Sequence, residues 1–437
     1  MHILQQPLFD FNEFFALDES DRLVLVLETI NAESLLRALQ GEDDVGRTGY
    51  HARVLWAALI AGVVYRIPSV AELRRNLLSN PYLRFVCGMT SAANVPSEAT
   101  FSRFLTELAK QENLLDQCVD DLVKRFAALA PDFGEAVVAD STDMHAYARY
   151  RKSGSADPDA TWSAKSSKEA SSKRGRKTKP FAASANDGEN GDKKKTKDKY
   201  WWFGYKLHLL VDAKYEVPIA AILTTAKVAD TTQLKPLLEK HDALLPDVKL
   251  KLVVSDGAYD SKSNIEAITE RGAIPIIPLN PGNEKEPPGI TNTLGTPLCP
   301  IGLPMLFWGR DGHYLKYRCP EKSGLLCCLK EHQAVCRCST SDYGLVVKLN
   351  MADDPRRYVP VPRETKKWER LYKLRTAVER VNSRLKENLI LDELRVRGIK
   401  KVKTRVGLNL LVMLAVAVAM AERNRLGDCR RLVTCAA

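Results

Sequence analysis

The chain lacks the marks of an exported or membrane-spanning protein. Its first residues, MHILQQPLFDFNEFF, hold no basic stretch followed by an apolar one, so no secretory signal is expected. The longest apolar run, Val406 to Ala421, is 16 residues and contains Asn409. A bilayer span needs about 20, so a buried helix is expected there instead. The ten cysteines include no CxxC pair. In a chain of this length without export signals they should be reduced thiols or metal ligands, not a disulfide framework. No internal repeat is present. Acidic residues are too few for balance: 65 Lys and Arg stand against 54 Asp and Glu, a net charge of +11 with a pI near 9.0. That excess favours a polyanionic partner, a nucleic acid or an anionic membrane surface. The 437 residues suggest two to four structural units at roughly 100–200 residues each.

Residues 51–130 read as helical. HARVLWAALIAGVVYRI has apolar residues at helical spacing, and SVAELRRNLL follows with Ser69 as N-cap and Glu72 three residues on. A turn at Asn94-Val95-Pro96 leads to a further helical run capped by Ser97. With Arg103 and Lys110 exposed, these helices suit a helix-turn-helix-like DNA reader, and equally a plain bundle.

At residue 135 the period changes. EAVVAD is a short apolar run ending in Asp140 and reads as a buried strand. Residues 151–199 are nearly free of aliphatics and carry 14 basic against 7 acidic residues, which is +7 of the total +11. Such a segment reads as a solvated linker or as a basic arm that grips phosphates. The strands YKLHLLVD and VPIAAILTT follow, then a helix in TTQLKPLLEKHDALL and a strand, VKLKLVVSD, that ends in Asp256. A helix from near Ser261 and the strand AIPIIPL complete an α/β pattern with a mixed sheet. Residues 280–350 break that pattern with Gly, Pro and six cysteines. One long helix is then expected from about Thr365 to Glu387, with the apolar helix last.

Asp140 and Asp256 both close apolar strands, where side chains of adjacent strands can converge in a crevice. An acid there is costly unless it is paired or holds a cation. The third acid comes from ERLYKLRTAVERVNSRLKENL. Counting about 100° per residue from Tyr372, Arg375, Glu379 and Lys386 fall at about −60°, −20° and −40°, one narrow stripe. A carboxylate flanked by two cations and a phenol is the set needed to hold a metal beside a phosphodiester. The bland reading is a surface helix with i,i+4 pairs such as Arg375–Glu379.

Tyr372, Arg375, Glu379 and Lys386 match in full the Y-x2-R-x3-E-x6-K signature of the DDE transposases of bacterial insertion sequences. Asp140 in VADST resembles that family's first acidic motif. Asp256 in VSDGAYDS resembles the second, with Asp three residues before Tyr259; Ala258 stands where many members have Gly. DPDATW at 157–162, GYKLH at 204–208 and VADTTQL at 228–234 are similar to the family's linking segments, and residues 51–106 to its N-terminal helical domain. The resemblance covers roughly residues 50–425.

It implies an α/β fold: a ribonuclease H-like mixed sheet flanked by helices, with an N-terminal all-α domain and a cysteine-rich insertion. The divisions expected are 1–130, helical and DNA-binding; 131–279, the first part of the catalytic core, with 151–199 as a basic insert; 280–350, the cysteine-rich insertion; and 351–437, the second part of the core. It implies that Asp140, Asp256 and Glu379 hold two Mg²⁺ or Mn²⁺ ions, since oxygen-only ligands favour hard cations. Two such ions about 3.5–4 Å apart can activate an attacking oxygen and stabilise a leaving one. Tyr372, Arg375 and Lys386 would clamp terminal phosphates. Asp143 and Asp260 lie outside the motif spacing. The implied partners are double-stranded DNA, as terminal inverted repeats and target, and a second copy of the chain. The implied location is the cytoplasm, with the nucleoid. A metal-dependent nuclease without strand transfer and a non-catalytic DNA-binding descendant are the competing readings; the intact acids argue against the latter. Separately, Cys319, Cys328 (or Cys327), Cys336 and Cys338 could assemble a tetrahedral zinc site, with His313 and His332 as substitutes, or could be thiols packed apart.

Overall fold

A computed structural model describes residues 22–40, 49–148, 157–166, 199–280, 291–323 and 339–432. The first part is helical: α1 (Arg22–Thr29), α2 (Glu33–Gln40), α3 (Ala52–Val64), α4 (Val70–Ser79), α5 (Pro81–Val86), α6 (Glu98–Leu108) and α7 (Glu112–Leu129). The two predicted caps are formed: Ser69 Oγ accepts the Glu72 N–H and Ser97 Oγ accepts the Thr100 N–H. The α3 sequence is apolar on nearly all sides, and its residues are buried from Leu55 to Val64.

The sheet contains β1 (Ala136–His145), β2 (Thr161–Ser166), β3 (Lys199–Asp212), β4 (Pro218–Thr225), β5 (Leu252–Ser255) and β6 (Ile274–Ile276). β3 pairs antiparallel with β1 on one edge and with β4 on the other; β1 then runs parallel to β5, and β5 parallel to β6. Helices α8 (Leu234–Leu244) and α9 (Lys262–Glu270) link the later strands. Two expectations change here. β1 does not end at Asp140 but continues through Ser141, Thr142 and Asp143 to His145, because β3 extends far enough to pair all of it. β2, too short and polar to be read from its sequence, is held against residues 199–204 of β3.

A separate antiparallel sheet, β7 (Leu306–Asp311), β8 (Tyr314–Arg318) and β9 (Val346–Asn350), has its own small core of Cys299, Met305, Leu315, Tyr317 and Tyr358. The long helix expected from Thr365 changes winding along its length. It is α-helical in α10 (Lys366–Tyr372), 3₁₀ over Lys373–Arg375, α-helical again in α11 (Thr376–Ser383), and π over Arg384–Asn388. The last helix, α12 (Ile399–Glu422), is apolar and long enough to cross a membrane, but 94% of its most apolar stretch is buried. It packs against α1, α3 and α7 as well as β4, so protein rather than lipid covers its apolar sides. Each fully buried Leu or Val there contributes roughly 1.5–3 kcal/mol. Lys403 of α12 bonds Glu112 and, at 2.8 Å, Asp116, tying it to α7.

Candidate active site

Backbone pairing sets the two aspartates side by side. Ala139 of β1 is paired with Ser255 of β5, and the next residues along these parallel strands are Asp140 and Asp256. The strands supply buried Val137, Val138, Ala139, Val253 and Val254 beneath them, while both acids stay partly exposed. Asp256 also starts a 3₁₀ turn, and its Oδ1 accepts the Ala258 N–H at 2.9 Å. That turn drops Tyr259 into the interior with no exposure. Its hydroxyl sits by Ser141 without good hydrogen-bond geometry. Burial first, then the nearby charges of Asp140, Asp230 and Asp256, push the phenol well above its usual range.

The 3₁₀ segment Lys373–Arg375 packs against both β1 and β5. This brings Tyr372 and Arg375 to the acids. Tyr372 is pushed up by burial and by Asp256, Asp140 and Glu379, with Arg375 opposing. Arg375 is half-buried; desolvation works against its charge, but Glu379, Tyr372 and Asp140 prevail and raise it. The Arg375 guanidinium bonds the Glu379 carboxylate, the i,i+4 pair that the spacing allowed. From behind, the buried Glu216 anchors the Glu379-bearing helix through Arg380 at 2.7 Å and Arg384 at 3.2 Å.

Lys386 differs from the open, phosphate-facing cation that the spacing suggested. It lies on the π segment and is buried, with Nζ donating to the Asp143 carbonyl at 2.5 Å and lying 3.0 Å from Asp392. It still faces β1, the strand of Asp140, but it already has protein partners. Asp260, outside the motif spacing, is fully buried as a side chain and accepts from the Asn280 N–H and Arg356. It fastens the two ends of the insertion. Asp143 is buried on β1, on the sheet face opposite Asp140.

The linking motifs have structural tasks. A Cβ on Gly204 would lie 2.0 Å from the Met144 carbonyl oxygen, so only glycine lets β3 pass β1 there. Tyr205 donates to Asp157 at 2.6 Å, Lys206 holds Asp230 at 2.8 Å, and His208 bonds Thr224 at 2.9 Å. Asp157 and Asp159 accept the N–H groups of Gly398 and Ile399, capping α12. These caps were invisible in the sequence because their partners lie about 240 residues away.

Asp140, Asp256 and Glu379 offer oxygen donors only, the set that suits a hard divalent cation. Among the described residues, no three His, Cys, Asp or Glu close up into one ready ion cage. The aspartates are neighbours, while Glu379 leans on Arg375. Of the cysteines proposed for zinc, Cys319 is buried, and Cys328, Cys336 and Cys338, like Cys327 and His332, lie outside the described residues.

Residues 131–415 match the family described as Transposase DDE domain, and residues 11–107 match a second, Transposase domain (DUF772). The chain belongs to the DDE transposase family. Over 79 residues it is 38% identical to a putative transposase for insertion sequence element IS402 of Burkholderia cepacia. That stretch is 17% of this chain and 37% of the relative, so the chain matches little more than a third of the relative's length. A solved structure, the cryo-EM piggyBac transposase synaptic complex with hairpin DNA, is similar at a TM-score of 0.39 and 10% identity, over 94% of this chain and 78% of that one.

Proposed function

We propose that this transposase cuts the ends of a mobile DNA element and joins the freed 3′-hydroxyl to target DNA, from a ribonuclease H-like core. The observation that carries this reading is the placement of Asp140 and Asp256 side by side on β1 and β5, with the Tyr372–Arg375–Glu379 segment against the same strands. Asp140, Asp256 and Glu379 are the ligands for two Mg²⁺ or Mn²⁺ ions, which when bound activate the attacking oxygen and stabilise the leaving one. Glu379 exchanges part of its Arg375 contact for that role. Arg375 then turns its planar fork to a phosphate of the DNA. Tyr372, half-buried beside the acids, gives a second phosphate contact through its hydroxyl. Lys386 gives the third phosphate contact, shared with its hold on Asp392. The N-terminal helices and the basic residues of 151–199 bind duplex DNA, and synapsis of two ends requires a second copy of the chain. The protein works in the cytoplasm at the nucleoid.

The test uses duplexes carrying the element's terminal repeats. Wild-type protein with Mg²⁺ should nick them to leave a 3′-hydroxyl, and pre-cut ends should be joined to a plasmid. Nicking without joining would favour the nuclease reading. Neither activity, with repeats bound, would favour the DNA-binding reading.

A further inference from the structure

The stretch from Leu394 to Gly398 alternates. Leu394 is buried and Val396 packs on the core, while Arg395 and Arg397 point outward. The period of two puts both guanidiniums on one side of an extended segment. They meet Tyr147, which follows β1 and is 44% exposed. The Arg395 and Arg397 guanidinium carbons lie over its ring, 5.7 and 5.5 Å from the centroid. The segment is fixed at its far end, where Asp157 and Asp159 hold the Gly398 and Ile399 N–H groups. Two N–H groups at the α12 N-terminus are therefore already taken.

The charge on this patch is barely neutralised. Arg395 has one weak ion pair, 3.8 Å from Glu393. Among the described residues no carboxylate pairs with Arg397, Lys400 or Lys401, whereas Lys403 is taken up by Glu112 and Asp116. Two exposed arginines would ordinarily splay into solvent. Here an aromatic face gathers them.

We propose that Arg395 and Arg397, gathered by Tyr147, form a clamp for the phosphate backbone of duplex DNA that extends away from the two aspartates. The inference rests on the transposase reading for the direction of that DNA, not for the clamp itself. Tyr147 is seven residues beyond Asp140 on the same run of chain, at most about 23 Å away at roughly 3.3 Å per residue. At about 3.4 Å per base pair, that puts the clamp within about seven base pairs of the bond to be cut.

The experiment measures affinity for a fluorescein-labelled duplex of arbitrary sequence against salt concentration, in EDTA, using the full chain. Each phosphate contact adds about 0.9 to the slope of log K against log salt, so the Arg395→Ala/Arg397→Ala variant should have a slope shallower by about 1.8. Its deficit relative to wild type should shrink about twelvefold between 50 and 200 mM salt. Tyr147→Phe should keep the wild-type slope, because the ring remains, and Tyr147→Leu should lose part of it. All three positions are exposed, and an unchanged melting temperature will show that the variants are folded. A double-alanine slope equal to wild type overturns the clamp. End cleavage by the wild-type protein, measured separately, tells the two readings apart. Cleavage with an unaltered variant slope sinks only the clamp, and a lost slope without wild-type cleavage sinks only the transposition chemistry.

Discussion

Asp140 and Asp256 each follow one member of a directly paired couple, Ala139 and Ser255, on parallel strands. Hydrogen bonds of the sheet interior thus fix the spacing of the two carboxylates. Removing either side chain should leave the sheet intact, since the pairing is backbone and the valines below are untouched. Asp140→Ala, Asp256→Ala and Glu379→Ala should each lower Mg²⁺-dependent end cleavage by about three orders of magnitude or more, as for residues that act as a unit. End binding should change little, because phosphate contacts rest on other residues. A gel assay of cleavage beside an anisotropy measurement of binding checks both halves. Near-normal cleavage by any of the three variants would reassign that residue.

Gly204 gives a prediction about the frame beneath the acids. An added Cβ would meet the Met144 carbonyl oxygen at 2.0 Å and the Ala146 nitrogen at 2.7 Å, both backbone atoms that cannot step aside. Gly204→Ala should cost more than about 3 kcal/mol or prevent folding, the range of strain and overpacking in a closed interior. Gly272→Ala is the comparison. It has open space around it but a φ of +73°, and should cost only about 1–2 kcal/mol. Urea denaturation of the two variants checks the order; equal losses would mean that β3 can back away from β1.

The parts of this molecule that were legible in sequence share a cause. Asp140 and Asp256 each follow a short apolar run and the Tyr372–Glu379 residues share a helical spacing, patterns written in consecutive residues, although the strand of Asp140 runs on to His145. The interior helix α12 was legible for the same reason. What stayed hidden depends on partners remote in the chain. β2 is a strand because β3 pairs with it. Lys386 is buried because the Asp143 carbonyl, on a strand 243 residues earlier, receives its ammonium. The roles of DPD and GYKLH likewise needed the fold, since Tyr205 reaches back to Asp157 and Asp157 reaches forward to Gly398.

That last chain of contacts can be measured. Asp157 is 1% exposed, and its Oδ1 takes the Tyr205 hydroxyl at 2.6 Å. Asp157→Ala strands a buried hydroxyl and uncaps Gly398, so it should cost about 2–4 kcal/mol as the sum of those two losses. Tyr205→Phe leaves the acid its Gly398 contact and should cost about 1–2 kcal/mol. The double variant should cost less than the two added together, with a coupling energy of about 1 kcal/mol or more. Strict additivity in a denaturant cycle would show that the two side chains act independently.

Arg375 and Lys386 were grouped by one spacing argument, and the structure separates them. The Arg375–Glu379 pair is substantially exposed, with the Glu379 side chain at 47%, so Arg375→Ala should change stability by no more than about 1 kcal/mol. Lys386 is 7% exposed and bonded to the Asp143 carbonyl, so Lys386→Ala strands a buried acceptor and should cost about 1–3 kcal/mol. Melting temperatures distinguish the two before any DNA is added. Both variants should then weaken assembly on pre-cut ends, and Mn²⁺ in place of Mg²⁺ should not restore it, because phosphate contacts and not metal ligands have been removed. Arg375→Lys should recover only part of the loss, since an ammonium lacks the planar fork that binds phosphate through two nitrogens. If Lys386→Ala loses stability while assembling normally at a temperature where it is folded, Lys386 serves the fold alone, and the phosphate contact belongs to Arg375.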